Sequence, residues 1–202
     1  MKLFKTKAGV VIEQADQLYL VTDTSWDEFI NSDDVFEKAK ALTLTLTASN
    51  KTVIDEVLPP MGSNQELWAC GVTYYRSMVG RQEESKAAGG ADFYSKVYEA
   101  ERPECFFKSS FHRVVGHSDF VRIRKDSTWD VPEPELTLVV TSSGKIIGYT
   151  VGNDMSSRSI EGENPLYLPQ AKTYDACAAV GPCIYVTDQP LPLSTNIHLE
   201  IA

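Results

Sequence analysis

Residues 128–154 read Thr128-Trp-Asp-Val-Pro-Glu-Pro-Glu-Leu-Thr-Leu-Val-Val-Thr-Ser-Ser-Gly-Lys-Ile-Ile-Gly-Tyr-Thr-Val-Gly-Asn-Asp154. Two apolar runs, Leu136–Val140 and Lys145–Val151, flank the short polar turn Ser142-Ser143-Gly144, which predicts an antiparallel hairpin. Glu133 and Glu135 stand two apart at the head of the first run, so on a strand both carboxylates point to one face. Asp154 follows the second run, and a hairpin returns it beside the two glutamates. Three carboxylates without a nearby Cys or His make a hard oxygen site that suits Mg2+, Mn2+ or Ca2+ rather than zinc. The alternative is an exposed strand edge with its acids in water. Pro132 and Pro134 flank Glu133 and cannot donate to a ladder, which marks this segment as a strand entrance or an edge.

The 202 residues accommodate one large domain or a small domain beside a larger one. The reading is a small N-terminal domain, 1–60, and a catalytic domain, 61–202. In the first, Lys2–Lys7, Val10–Glu13 and Gln17–Thr22 are strand-like. Ser25 caps a helix from Trp26 that breaks at Asn31-Ser32 and resumes to Leu42. The alternation Leu42-Thr-Leu-Thr-Leu-Thr47 has period two and predicts a strand. Leu58-Pro-Pro-Met-Gly-Ser-Asn64 reads as the linker.

Leu67–Gly71 is a short strand that runs into the polar, aromatic loop at Thr73 and Tyr74, which suits a pocket lining. Residues 76–101 read as a helix interrupted at Gly89-Gly90, its first part charged and exposed and its second part with helical apolar spacing at Phe93, Tyr94, Val97 and Tyr98, either a lid or a surface excursion. Pro103–Lys108 is a strand with Glu104 and Lys108 on one face, an acid–amine pair for proton transfer or a structural ion pair. Phe120–Arg124 and Leu193–Ala202 alternate as strands, and Cys183–Thr187 is another. The polar stretch after Asp154 contains Asn164-Pro165 and Leu168-Pro169, which exclude a long helix but leave a turn near Ser156–Ile160. Lys172 precedes a small-residue apolar stretch, where it is a base, an amine nucleophile or a surface lysine.

The formal net charge of −9 argues against nonspecific binding to nucleic acid or anionic membrane. Lys108, His112, Arg113, His117, Arg122, Arg124 and Lys125 form a local basic stretch, either attractive to a small anion or a solvated face. Cys70, Cys105, Cys177 and Cys183 have no CxxC spacing, and no secretory or transmembrane run is present, so the expectation is free thiols in the cytoplasm.

Trp68-Ala-Cys-Gly71, Pro103-Glu-Cys-Phe-Phe-Lys108, Val131-Pro-Glu-Pro-Glu-Leu136, Gly148–Asp154, Ser157-Arg158, Gln170-Ala-Lys172 and Val180-Gly-Pro182 occur in an order that resembles the fumarylacetoacetate hydrolase family. The resemblance covers roughly residues 65–190. Lys96–Pro103 and Glu163–Gln170 resemble its sugar-acid dehydratases in particular. It implies an α+β, mostly β fold, with a mixed β-roll catalytic domain beside the small N-terminal α+β domain, usually as a homodimer or higher homo-oligomer. It implies Mg2+ or a similar ion on Glu133, Glu135 and Asp154. It puts Lys172 at the family's active-site lysine, Glu161 where many members have a substrate-contacting Gln, and Lys108 beside the pocket. Thr73 and Tyr74 are read as substrate-binding and Glu104 as the acid.

Members that cleave acylpyruvates carry a His in the loop after Cys-Gly, whereas this loop is Cys70-Gly-Val-Thr-Tyr-Tyr-Arg-Ser77. The expectation is therefore dehydration of a small anionic 2-keto acid, a 2-keto-3-deoxy sugar acid of the arabinonate type, to 2,5-dioxopentanoate through a metal-stabilised enolate. Acylpyruvate hydrolysis and a non-catalytic keto-acid-binding module are the alternatives. A TGTG-like C-terminal stretch of the family has no counterpart, so the catalytic domain reads as truncated in its last strand.

Overall fold

The computed structural model describes residues 1–85, 96–97 and 99–201. Three N-terminal strands, β1 (Lys2–Thr6), β2 (Gly9–Gln14) and β3 (Gln17–Val21), form a meander. Two helices follow, α1 (Trp26–Ile30) and α2 (Val35–Thr45). Ser25 caps α1 by accepting from the Glu28 N–H, as its position before Trp26 predicts.

The Leu-Thr alternation at 42–47 is not a strand. Residues up to Thr45 lie in α2, where Leu42 and Leu46 pack on the core while Leu44 is 83% exposed. An i, i+4 pair shares a helix face, so the period-two pattern loses to tertiary packing. Thr43 and Thr45 donate to the carbonyls of Lys40 and Leu42, which satisfies their hydroxyls inside the helix.

After β4 (Val57–Leu58) come β5 (Glu66–Cys70), α3 (Tyr75–Ser85) and β6 (Cys105–Ser110). The Gly89-Gly90 interruption and the apolar spacing of Phe93, Tyr94 and Tyr98 lie outside the described residues. β7 (Val114–Val115) and β8 (Asp130–Val131) lead to the hairpin of β9 (Pro134–Val140) and β10 (Ile146–Asp154). β11 (Ser156–Ser157), α4 (Arg158–Glu163), α5 (Leu168–Lys172) and β12 (Ala178–Tyr185) complete the elements.

Among the described residues, β3-β2-β1-β12-β10-β9 form one sheet in that order, with β4 added on β1 and β7 parallel to β12. Residues 1–60 therefore do not own a separate sheet: β1 pairs with β12, Leu3 opposite Ile184. One apolar cluster joins Leu3, Ile12 and Phe29 to Val139, Ile147 and Ile184. Pro60, Met61 and Gly62, read as part of a linker, are buried, and Met61 packs against Val114 and Val180.

The predicted hairpin forms, with β9 on the sheet edge, as its prolines require. Its turn uses Gly144 at φ +88°, a conformation favourable to glycine. Asp33 accepts from Thr141 and Ser143, and Asn31 accepts from the Ser142 N–H, so the turn is tied to the α1–α2 junction. Two expected strands are absent. Phe120–Arg124 is irregular, with Phe120 90% exposed, and residues 193–201 form no strand. Both stretches alternate in sequence, but neither has a ladder partner among the described residues, and a strand without one has no stable form.

Candidate metal and proton-transfer site

The hairpin register builds the site. Gly152 stands opposite Glu135, Asn153 opposite Pro134, and the Asp154 N–H donates to the Glu133 carbonyl at 2.9 Å. Asp154 is the last residue of β10 rather than beyond it. Carboxylate oxygens of Glu133, Glu135 and Asp154 lie within 4.8 Å of one another, as the sequence spacing predicts.

Lys172, buried at the end of α5, inserts its Nζ between two of these acids. It donates to Glu133 Oε2 at 2.6 Å, Asp154 Oδ2 at 2.9 Å and Ser156 Oγ at 2.6 Å. The sequence did not announce α5. Pro169 near its N-terminus is compatible with helix, because the first-turn N–H groups have no intrahelical acceptor. Lys108 on β6 is equally buried. It donates to the carbonyls of Met155 and Lys172 and lies 2.6 Å from Asp154 Oδ1.

Arg158, at the start of α4, donates to Glu133 Oε1 at 2.5 Å and Glu161 Oε2 at 3.0 Å. Arg81 on α3 meets Glu161 Oε1 at 2.8 Å. Charges thus alternate without a break from Arg81 through Glu161, Arg158, Glu133, Lys172 and Asp154 to Lys108. Glu161 is engaged at both oxygens by arginines, and Lys108 by protein acceptors, so in this arrangement both act within the network. The α3 segment, expected to be wholly exposed, is anchored by Arg81, whose side chain is only 11% exposed.

Arg81 and Arg158 were not assigned roles from the sequence. For Arg158 a signal existed: a capping Ser157 before it and Glu161 three residues on, the spacing of a helical ion pair. Arg81 had none, because its partner is 80 residues away. The rest of the basic stretch is ordinary surface: Arg122 pairs with Asp175 and Arg124 with Asp126.

Burial would raise the Glu133 carboxyl, but Lys172 and Arg158 outweigh it and hold it at about 2. Burial lowers the Lys172 ammonium, yet Asp154 and Glu133 more than compensate and leave it above the ordinary lysine value. Glu135 has no hydrogen bond or ion pair among the described residues, and burial with Asp154 and Glu133 beside it pushes it up to about 8. Glu104 is raised by burial, partly offset by Lys172. Its carboxylate lies over Gly71, where a Cβ would come within 1.8 Å of Oε2.

Asp154 Oδ1 is buried and ion-pairs with Lys108 Nζ at 2.6 Å. Glu135, with no hydrogen bond or ion pair among the described residues, and the all-oxygen donor set fit a hard divalent cation. Tyr74 is close enough for Glu135 and Glu133 to reinforce the rise that burial gives its phenol. A cleft of about 700 Å3 between β5 and β9 reaches the site at Glu135, Thr73 and Cys70.

The sequence pattern of the fumarylacetoacetate (FAA) hydrolase C-terminal family matches residues 73–202. The chain is similar to a probable 2-keto-3-deoxyxylonate dehydratase of Haloferax volcanii, 58% identical over 139 residues, which is 67% of this chain and 47% of the relative. It is also similar to the 2-dehydro-3-deoxy-D-arabinonate dehydratase of Saccharolobus solfataricus, 47% identical over 138 residues, 67% of this chain and 46% of the relative. A solved structure of 2-keto-3-deoxy-D-arabinonate dehydratase complexed with magnesium and 2,5-dioxopentanoate matches 93% of this chain and 67% of its own, with a TM-score of 0.72 and 31% identity. The match spans about half the length of the two curated relatives.

Proposed function

Because the chain belongs to the fumarylacetoacetate hydrolase family, we propose that it dehydrates a 2-keto-3-deoxy pentonate to 2,5-dioxopentanoate with a divalent cation, Mg2+ foremost, held by Glu133, Glu135 and Asp154. The observation that carries this reading is the three-carboxylate cluster with Lys172 Nζ between two of its members. The dehydratase relatives support the substrate class. In the D series their two substrate names describe one compound, since C2 is a ketone and C3 a methylene, and only C4 keeps a configuration.

When bound, the cation supplies Lewis-acid polarisation of the 2-keto group and makes the C3 hydrogens acidic. Lys172 Nζ is the atom we assign to the C3 proton. It is held as an ammonium by Asp154 and Glu133, the acids that also hold the cation, so its basicity depends on how far those acids are neutralised. Glu104, raised by burial, is suited to keep a proton and deliver it to the departing C4 hydroxyl, which leaves as water. A proton then moves from C5 and another returns to C3. The resulting C4–C5 enol becomes the C5 aldehyde, with no net oxidation. Thr73 and Tyr74 border this space and are assigned to substrate contact.

On the outer face of the hairpin, Leu136 and Val151 are cross-strand neighbours, as are Val140 and Ile146, and all four are exposed. This apolar row supports a homo-oligomer that covers the face. Among the described residues no helix is long and apolar enough to cross a membrane; a cytoplasmic setting remains part of the proposal.

The test is to incubate the protein with 2-keto-3-deoxy-D-arabinonate and Mg2+, with and without EDTA, and to measure aldehyde. Metal-dependent 2,5-dioxopentanoate is the expected product. Loss of acetylpyruvate absorbance without any aldehyde from the sugar acid would overturn the dehydratase reading.

A further inference from the structure

Cys70 ends β5 and Cys105 begins β6, and the two face each other as the last pair of the antiparallel ladder. Both are exposed, on the same side of the two-stranded sheet as Trp68 and Phe107, whose rings meet edge to face at 5.9 Å. Directly opposed residues of such a ladder have Cα atoms about 4.5–5.5 Å apart, inside the disulfide range of about 4.4–6.8 Å. Cys177 is buried, and Cys183 lies on β12 against the N-terminal strands.

We propose that Cys70 and Cys105 are a redox-active dithiol, a modification site at the rim of the carboxylate cluster that a low-molecular-weight disulfide oxidises to a cross-strand disulfide. One protein thiolate attacks a sulfur of the small disulfide and releases one small thiol. The second protein thiol attacks the mixed disulfide and releases the other. Two protein thiols are oxidised, one small disulfide is reduced, and no other electron acceptor is needed. Desolvation and the adjacent Cys105 push the Cys70 thiol up to about 11, so Cys70 rests as the protonated thiol. The pair borders Gly71 and Glu104 directly, where the Glu104 carboxylate rests on Gly71. The bond would therefore tie together the two strand ends that carry the candidate acid and its seat.

The experiment treats the folded chain with oxidised glutathione, then denatures it, alkylates the remaining thiols and measures intact mass and linked peptides. The expected product has lost two hydrogens, carries two alkyl groups and no glutathione, and yields a Cys70–Cys105 peptide that dithiothreitol separates. Cys105→Ser should instead retain one glutathione on Cys70, because the resolving thiol is gone. A link through Cys177 or Cys183, a stable glutathione adduct on the parent chain, or four alkylated cysteines after treatment would each overturn the proposal. None of these readouts uses turnover, so they stand apart from the dehydratase reading.

Discussion

Glu135→Gln should make the metal-free protein more stable while it destroys metal binding. Glu135 is the one member of the cluster with no cation or hydrogen bond to hold its charge among the described residues, and its carboxyl is raised from 4.5 to about 8 by burial, Asp154 and Glu133. Between those values the unfolded chain is ionised and the folded chain keeps its proton. Folding then takes up a proton, so stability falls as pH rises through this window. At pH 7 linkage converts the rise into about 3 kcal/mol, which partial solvent access reduces to about 1–2 kcal/mol. For a chain of this size that corresponds to about 3–6 °C in Tm.

The assay is thermal unfolding of parent and variant in EDTA from pH 4.5 to 8. The Gln variant should match the parent near pH 4.5 and exceed it increasingly toward pH 8. Mg2+ should raise the parent's Tm and leave the variant's unchanged. Glu133→Gln is the contrast. It also removes a metal ligand, but it strips a partner from Lys172 and Arg158 and should cost about 3–5 kcal/mol. If Glu135→Gln lowers the Tm in EDTA at pH 8, or shows no pH-dependent gap, Glu135 is not the uncompensated charge that this reasoning requires.

Further outcomes follow from the same geometry. Mg2+ binding at pH 7 should release close to one proton, and affinity should rise with pH up to about 8 as Glu135 deprotonates; calorimetry in buffers of different ionisation enthalpy measures both. Lys172→Ala leaves Glu133 and Asp154 short of a cation, so its Tm in EDTA should fall and Mg2+ should recover more of it than in the parent. Equal Mg2+ shifts in the two would separate the lysine from the metal ligands. Gly71→Ala brings a Cβ within 1.8 Å of Glu104 Oε2, so turnover should drop about 10²-fold or more with Mg2+ affinity kept. Leu44→Ser should change stability by less than about 0.5 kcal/mol, whereas Leu42→Ser should cost more than about 1 kcal/mol. Equal costs in urea unfolding would restore the strand reading of 42–47.

Local signals carried well where a residue's neighbours in sequence are also its neighbours in space. The β9–β10 hairpin and its acids fall in this group, because a short turn and strand periodicity bring Glu133, Glu135 and Asp154 together. So do the Ser25 cap and the break between α1 and α2. The failures share the opposite property. Leu42–Thr47, Phe120–Arg124 and 193–201 all alternate, yet alternation forms a strand only where a ladder partner exists.

Residue type and short-range spacing are enough to bring out the carboxylate triad, its preference for a hard cation and the strand that carries Lys108, although that strand begins at Cys105 and leaves Glu104 just before it. What surrounds those acids comes from long-range packing. Lys108 comes from β6, Arg158 from α4, Lys172 from α5 and Arg81 from α3. Their charges meet through packing of distant segments, which no local periodicity encodes. Among the described residues the same packing leaves Glu135 without a partner, a carboxylate that a cation can take up.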